Sequence, residues 1–200
     1  MVNNSNGIIL GYGSTDEDFT QKQKRQVEAL INAEKQFKKI LQKDCRGHLV
    51  YKAFINFIVK DNILAARPYF RERQSAFSSG ISPAIRKGKY KRLYKFNINF
   101  PFISFCLQIL PWKPGSRVRK AANLVFKLRK ELIELNMPLA ISRARIFKQK
   151  TPSSHLSYMD LVQIAMEGLI NAIDKFVLPY TPVFRSVIIG RLRWKPYRRF

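Results

Sequence analysis

The chain has 200 residues with 37 Lys and Arg against 13 Asp and Glu, a formal net charge of +24, and it is 46 % hydrophobic and 12 % aromatic. Nearly half the residues being apolar supplies a core, which excludes wholesale disorder, and the length suits one domain or one domain with arms. So positive a surface repels itself and is best tolerated against a polyanion, with nucleic acid ahead of an anionic membrane.

The first residues, Met1 to Ser5, hold no cationic segment leading into an apolar run, so no secretory leader is expected. Asp16, Glu17 and Asp18 follow Ser14 and Thr15, the pattern of a hydroxyl-capped helix start with carboxylates at its positive end. That helix continues through Val27, Leu30, Ile31, Phe37 and Leu41, with Lys and Glu on the other face. A second helix is expected from Leu49 to Ala65, ending near Arg67-Pro68 because proline disfavours the helical region for its predecessor. Ser78, Ser79, Gly80, Ser82, Pro83 and Gly88 mark turns, and the aromatic-rich stretch Phe96 to Leu110 is assigned to the core. The uncharged run around it, from Lys95 to Lys113, is broken by Pro101 and Pro111 and is too short to span a bilayer, so no membrane partner is expected. Beyond Pro111 to Ser116, Leu124, Leu128, Leu132, Leu135 and Leu139 recur three or four apart as in an amphipathic helix, with a kink or restart at Pro138. The expected fold is therefore all-α, divided into a basic helical part of unassigned role, residues 1–115, and a helical module, residues 116–200.

Charge is unevenly spread. No acid lies between Glu72 and Glu131, and none follows Asp174, whereas both stretches are rich in Lys and Arg. Two such runs in one small chain favour contact with a polyanion over a merely solvated face.

Ser157 and Asp160 have the spacing of a capping box, and Leu161, Ala165, Leu169, Ala172, Ile173 and Phe176 then share one helical face. Asp160, Gln163, Glu167, Asn171 and Asp174 line the other side as a polar, net acidic stripe. On so basic a chain, such a stripe fits a basic protein partner kept apart from nucleic acid.

The segment Asp160 to Phe176, DLVQIAMEGLINAIDKF, resembles the helix of bacterial housekeeping-type sigma factors that reads D-L-I-Q-E-G-N-x-G-L-x-x-A-V-D-K-F. Upstream, Glu131 to Ala144 is similar to the preceding sigma helix, E-x-N-L-R-L-V-x-x-I-A, with a few extra residues in the Lys148 to His155 loop. The resemblance covers about the last third of the chain and implies a conserved region two, which docks on the clamp coiled coil of the large subunit of core RNA polymerase and engages promoter DNA. The family's polymerase-facing positions fall on Asp160, Gln163, Ile164, Met166 and Ile170. Asp160 and Gln163 keep the family's residue types, whereas Ile164 stands for the usual glutamate, Ala165 for glycine and Met166 for asparagine. Phe184 matches the residue that opens the family's promoter-melting helix, but the positions of the base-stacking aromatics hold Val187, Gly190 and Arg191, so that mechanism is not carried over. DNA contact is expected instead from Arg185, Arg191, Arg193, Lys195, Arg198 and Arg199. No counterpart of the family's later regions is recognised, which makes the chain most like the compact sigma-like factors of bacteriophages. Those redirect host polymerase to late genes in the bacterial cytoplasm, with a phage co-activator as a further partner.

An enzyme is not expected, and neither is a cofactor or a metal. His48 and His155 have no partner at metal spacing, Cys45 and Cys106 form no C-x-x-C pair, no phosphate-binding G-x-x-x-x-G-K-[ST] loop occurs, and Gly11 and Gly13 stand isolated. The rival reading is a basic structural protein that coats nucleic acid without sequence choice. It accounts for the charge but not for the sigma-like block.

Overall fold

The computed structural model describes residues 16–44, 47–60, 62–109, 113–152 and 155–175. Among them the chain is helical with no strand, an all-α fold, and its only extended pairing is an isolated antiparallel bridge between Phe70 and Ile98.

Three long helices form the frame: α1 (Asp16–Asp44), α7 (Arg117–Lys150) and α8 (Tyr158–Asp174). In α1, Val27, Leu30, Ile31, Ala33, Phe37 and Leu41 recur at helical spacing and are all buried. α1 lies antiparallel to α7, since Gln23 Nε2 donates to Asn136 Oδ1 at 2.6 Å in the buried seam while Arg117 reaches Asp44 at 4.0 Å at the far end. α8 folds back along α7, so that its last turn meets Arg129 in the first half of that helix. The boundary at residues 115 and 116 thus falls in the turn before α7, and helices from both parts share one apolar core.

α7 departs from its leucine pattern. Its buried line is Val118, Ala122, Val125, Leu132, Asn136, Ala140 and Ala144, while Leu124 is 44 % exposed and Leu128, Leu135 and Leu139 are only half-buried. A helix packed between two neighbours presents small side chains at the closest approach, with larger ones flanking it. Nor does Pro138 interrupt α7, which is one continuous helix of 34 residues. Pro138 lies on the exposed side, and the helix bond its missing N–H gives up belongs to the equally exposed Glu134.

The middle of the chain packs as short helices around aromatic side chains. The expected helix from Leu49 to Ala65 is instead α2 (Gly47–Phe54), continued by a π-helical turn, Ile55–Val59, and followed by a 3-10 helix, Ile63–Tyr69, that contains Pro68. The break precedes the proline because the Asn62 side chain accepts from Leu64 N at 2.9 Å and caps a new segment. Next come α3 (Gln74–Ala76), a second π turn (Phe77–Ile81), α4 (Ser82–Arg86), α5 (Tyr90–Leu93) and α6 (Phe100–Ile109). As expected from its sequence, the stretch from Phe96 is core, with Ile98, Phe102, Ile103, Phe105 and Cys106 buried. The rings of Tyr51, Phe54, Phe70, Phe102 and Phe105 pack with centroids 5.0 to 6.3 Å apart.

Gly80 is needed in the second π turn because Phe96 lies against it. A Cβ there would stand 2.8 Å from Phe96 Cε1 and closer still to its Cζ. Gly80→Ala is expected to cost about 1–3 kcal/mol in urea unfolding by overpacking. The same substitution in a Phe96→Leu background should cost less, and an equal loss in both would refute the clash.

Candidate docking face and nucleic-acid interface

α8 begins with the capping box expected from its sequence. Ser157 Oγ accepts from Asp160 N at 3.1 Å, and Ser157 N donates to Asp160 Oδ2 at 2.8 Å. The hydrogen bonds from Ser157 hold the Asp160 carboxyl below its usual range. Leu161, Ala165, Leu169, Ala172 and Ile173 are buried as expected, while Phe176 lies outside the described residues.

The opposite face is open. Asp160, Gln163, Ile164 and Glu167 are exposed, and Met166 and Ile170 lie half-buried on its flank. Met159, 69 % exposed, adds a second apolar group beside Asp160 at the start of the helix. Helical spacing thus brings together all five positions that the sigma resemblance marks, three of them exposed. Asp174 does not belong to this face, which corrects the expected stripe. Its carboxylate is buried and receives Arg129 Nε at 2.8 Å and Nη2 at 2.9 Å, a bidentate pair that engages both of its oxygens.

Three side chains for which the sequence suggested no such role fix the end of α8. Arg71, itself buried, donates Nη1 to the carbonyl of Ile173 at 2.7 Å and forks onto Glu34 of α1 with Nη2 at 2.6 Å and Nε at 2.7 Å. Asn99 Nδ2 donates to the carbonyl of Asp174 at 3.3 Å and also to that of Pro68. Arg129, besides holding Asp174, has its guanidinium carbon 3.8 Å from the centre of the Phe100 ring. Arg71 and Asn99 are neighbours because residues 69–71 and 97–99 run antiparallel, with Arg71 N donating to Asn97 O at 2.9 Å and Asn99 N to Tyr69 O at 3.2 Å. Two cations at the negative pole of a helix are favourably placed. Glu34 corrects the expectation that the Glu residues of α1 lie on its outer face: it is buried, as a carboxylate can be when it is paired, here with Arg71.

Part of the acid-free middle stretch is a run of exposed cations around the turn after α4. Gly88, at φ 59°, turns the chain after α4 in a conformation that glycine adopts without strain. Around that turn Arg86, Lys87, Lys89, Lys91, Arg92 and Lys95 are all exposed. Lys38 of α1 faces inward instead, donating to the carbonyl of Phe96 at 3.0 Å, and its burial holds its ammonium below the usual lysine range. The DNA-contact residues expected from the sequence, Arg185, Arg191, Arg193, Lys195, Arg198 and Arg199, lie outside the described residues, as do Phe184, Val187 and Gly190.

Among the described residues no group of three or more His, Cys, Asp or Glu side chains could hold a metal ion, and no helix is long and apolar enough to cross a membrane. No family model matches the chain, and no curated protein or solved structure matches it.

Proposed function

We propose that this chain is a sigma-like transcription initiation factor, which binds a bacterial core RNA polymerase through the outer face of α8 and directs it to promoters, those of phage late genes above all. The observation that carries this reading is the exposure of Asp160, Gln163 and Ile164 on a helix whose other face is sealed in the core. A capped, well-anchored helix presents these side chains with little ordering left to do on binding, which favours a docking role. Carboxylates beside exposed apolar groups suit a partner that is itself basic and amphipathic. A nucleic-acid coat protein accounts for the +24 charge but leaves this face without a role.

The test is capture of core polymerase by the immobilised protein, followed by run-off transcription with core enzyme added. Asp160→Ala and Gln163→Ala should each weaken capture about tenfold, in the manner of interface anchors, with the helical circular-dichroism signal retained. Capture that neither change disturbs, or its complete absence, refutes the proposal, and binding to random duplex alone would favour the coat protein.

A further inference from the structure

We infer that the face formed by the 3-10 helix Ile63–Tyr69, the helical run from Gln74 to Arg86 and the Gly88 turn binds the phosphate backbone of nucleic acid, one phosphate seating in a pocket between Arg67 and Arg86. The pocket has a volume of about 280 Å³. Gln74, Ser78 and Ser82 line it at four-residue intervals, and Phe77 forms a wall. Besides the apolar Leu64, Phe77 and Pro83, its lining is two arginines and a row of neutral hydrogen-bonding residues, with no carboxylate among them, which suits an anion.

Neither arginine is spent elsewhere on an acid. Among the described residues neither has a carboxylate within 4.0 Å, and Arg67 has only a long 3.5 Å contact from Nη1 to the carbonyl of Phe70 and the Phe77 ring, 6.0 Å from its guanidinium carbon. Arg86 lines the pocket and lies two residues before Gly88, so the exposed Lys87, Lys89, Lys91, Arg92 and Lys95 follow it directly along the chain. A single bound anion would leave those five charges unanswered, whereas a polymer carrying phosphates at regular intervals answers them in turn and releases its counterions. A surface of this kind holds the backbone without reading bases.

The full-length protein is titrated with a fluorescein-labelled single-stranded DNA 20-mer over a range of KCl concentrations. In one variant Arg67, Arg86, Lys89 and Arg92 are all changed to Gln; in a charge-matched control Lys120, Lys127, Lys130 and Arg145, exposed on α7, are changed to Gln. The first should weaken binding at least about tenfold and flatten the logarithmic salt slope by about 2 to 3, at roughly 0.7 per lost phosphate contact on a single strand. The control should change the slope by less than half as much. A further variant, Lys87, Lys89, Lys91 and Arg92 to Gln, spares the half-buried Arg67 and should still flatten the slope if the first variant folds poorly. Equal effects from the two surfaces overturn the assignment, as does an unchanged slope in both turn variants. Vesicles of anionic phospholipid bound more tightly than the oligonucleotide, with that binding lost in the same variants, would overturn it in favour of a membrane surface. Gln163→Ala should leave oligonucleotide binding unmoved, so this inference and the polymerase-docking reading fail separately.

Discussion

Arg71→Ala is expected to lower stability by about 3–5 kcal/mol, the cost of removing one partner from a buried ion pair. In a protein of this size that is a fall in melting temperature of about 6 to 20 °C. The loss has two sources: the Glu34 carboxylate stays buried with its fork of donors gone, and the Ile173 carbonyl at the end of α8 loses its 2.7 Å hydrogen bond. Replacing both charges, Glu34→Leu with Arg71→Met, should recover most of the stability, because a well-packed apolar pair removes the desolvation cost of both ions. If the double variant is as unstable as Arg71→Ala, the carbonyl contact and not the ion pair dominates.

The same pair gives a pH signature. Burial lifts the Glu34 carboxyl above its ordinary 4.5, opposed by the charge and hydrogen bonds of Arg71. Because its folded value lies above the unfolded one, this group's contribution to stability is complete below the unfolded value and declines as the pH rises through the folded value. Without Arg71 the folded value moves further up. The deficit of Arg71→Ala should therefore widen in urea titrations as the pH rises above the ordinary carboxylate range, and a deficit independent of pH would refute the coupling.

Phe102→Ala is the second large loss expected, about 3–5 kcal/mol for an emptied aromatic site. Its ring is fully buried, with centroids 5.0 Å from those of both Tyr51 and Phe54, 6.1 Å from Phe70 and 6.3 Å from Phe105. Phe102→Leu should cost clearly less, since it keeps much of the volume and loses mainly the ring contacts. Equal losses in guanidinium unfolding would mean that the site collapses around either side chain. Asn99, which holds the end of α8, sits one residue before α6, so Phe102→Ala should also raise amide exchange in the last turn of α8.

Local features were legible where a pattern of adjacent residues carries its own physics. The apolar faces of α1 and α8 follow from helical spacing, and the Ser157–Asp160 box closes within one turn, so neither depends on what the rest of the chain does. The outward position of Asp160, Gln163 and Ile164 follows as well, being the side left over once the apolar face is buried.

What the sequence alone settled, then, is helicity, the core faces of α1 and α8, the capping of α8 and the two cationic stretches, all properties of neighbouring residues. Tertiary packing decided the rest. It drew the buried line of α7 mostly through residues smaller than leucine, because two helices pack on it. It took Asp174 out of the acidic stripe through Arg129, 45 positions away, and buried Arg71 between Glu34 and Ile173, 37 and 102 positions away. It also set Arg67 beside Arg86 in one pocket. A charged side chain's role depends on which opposite charge the fold brings within about 4 Å, where Coulomb attraction and desolvation are both large, and no periodicity in the chain encodes that meeting.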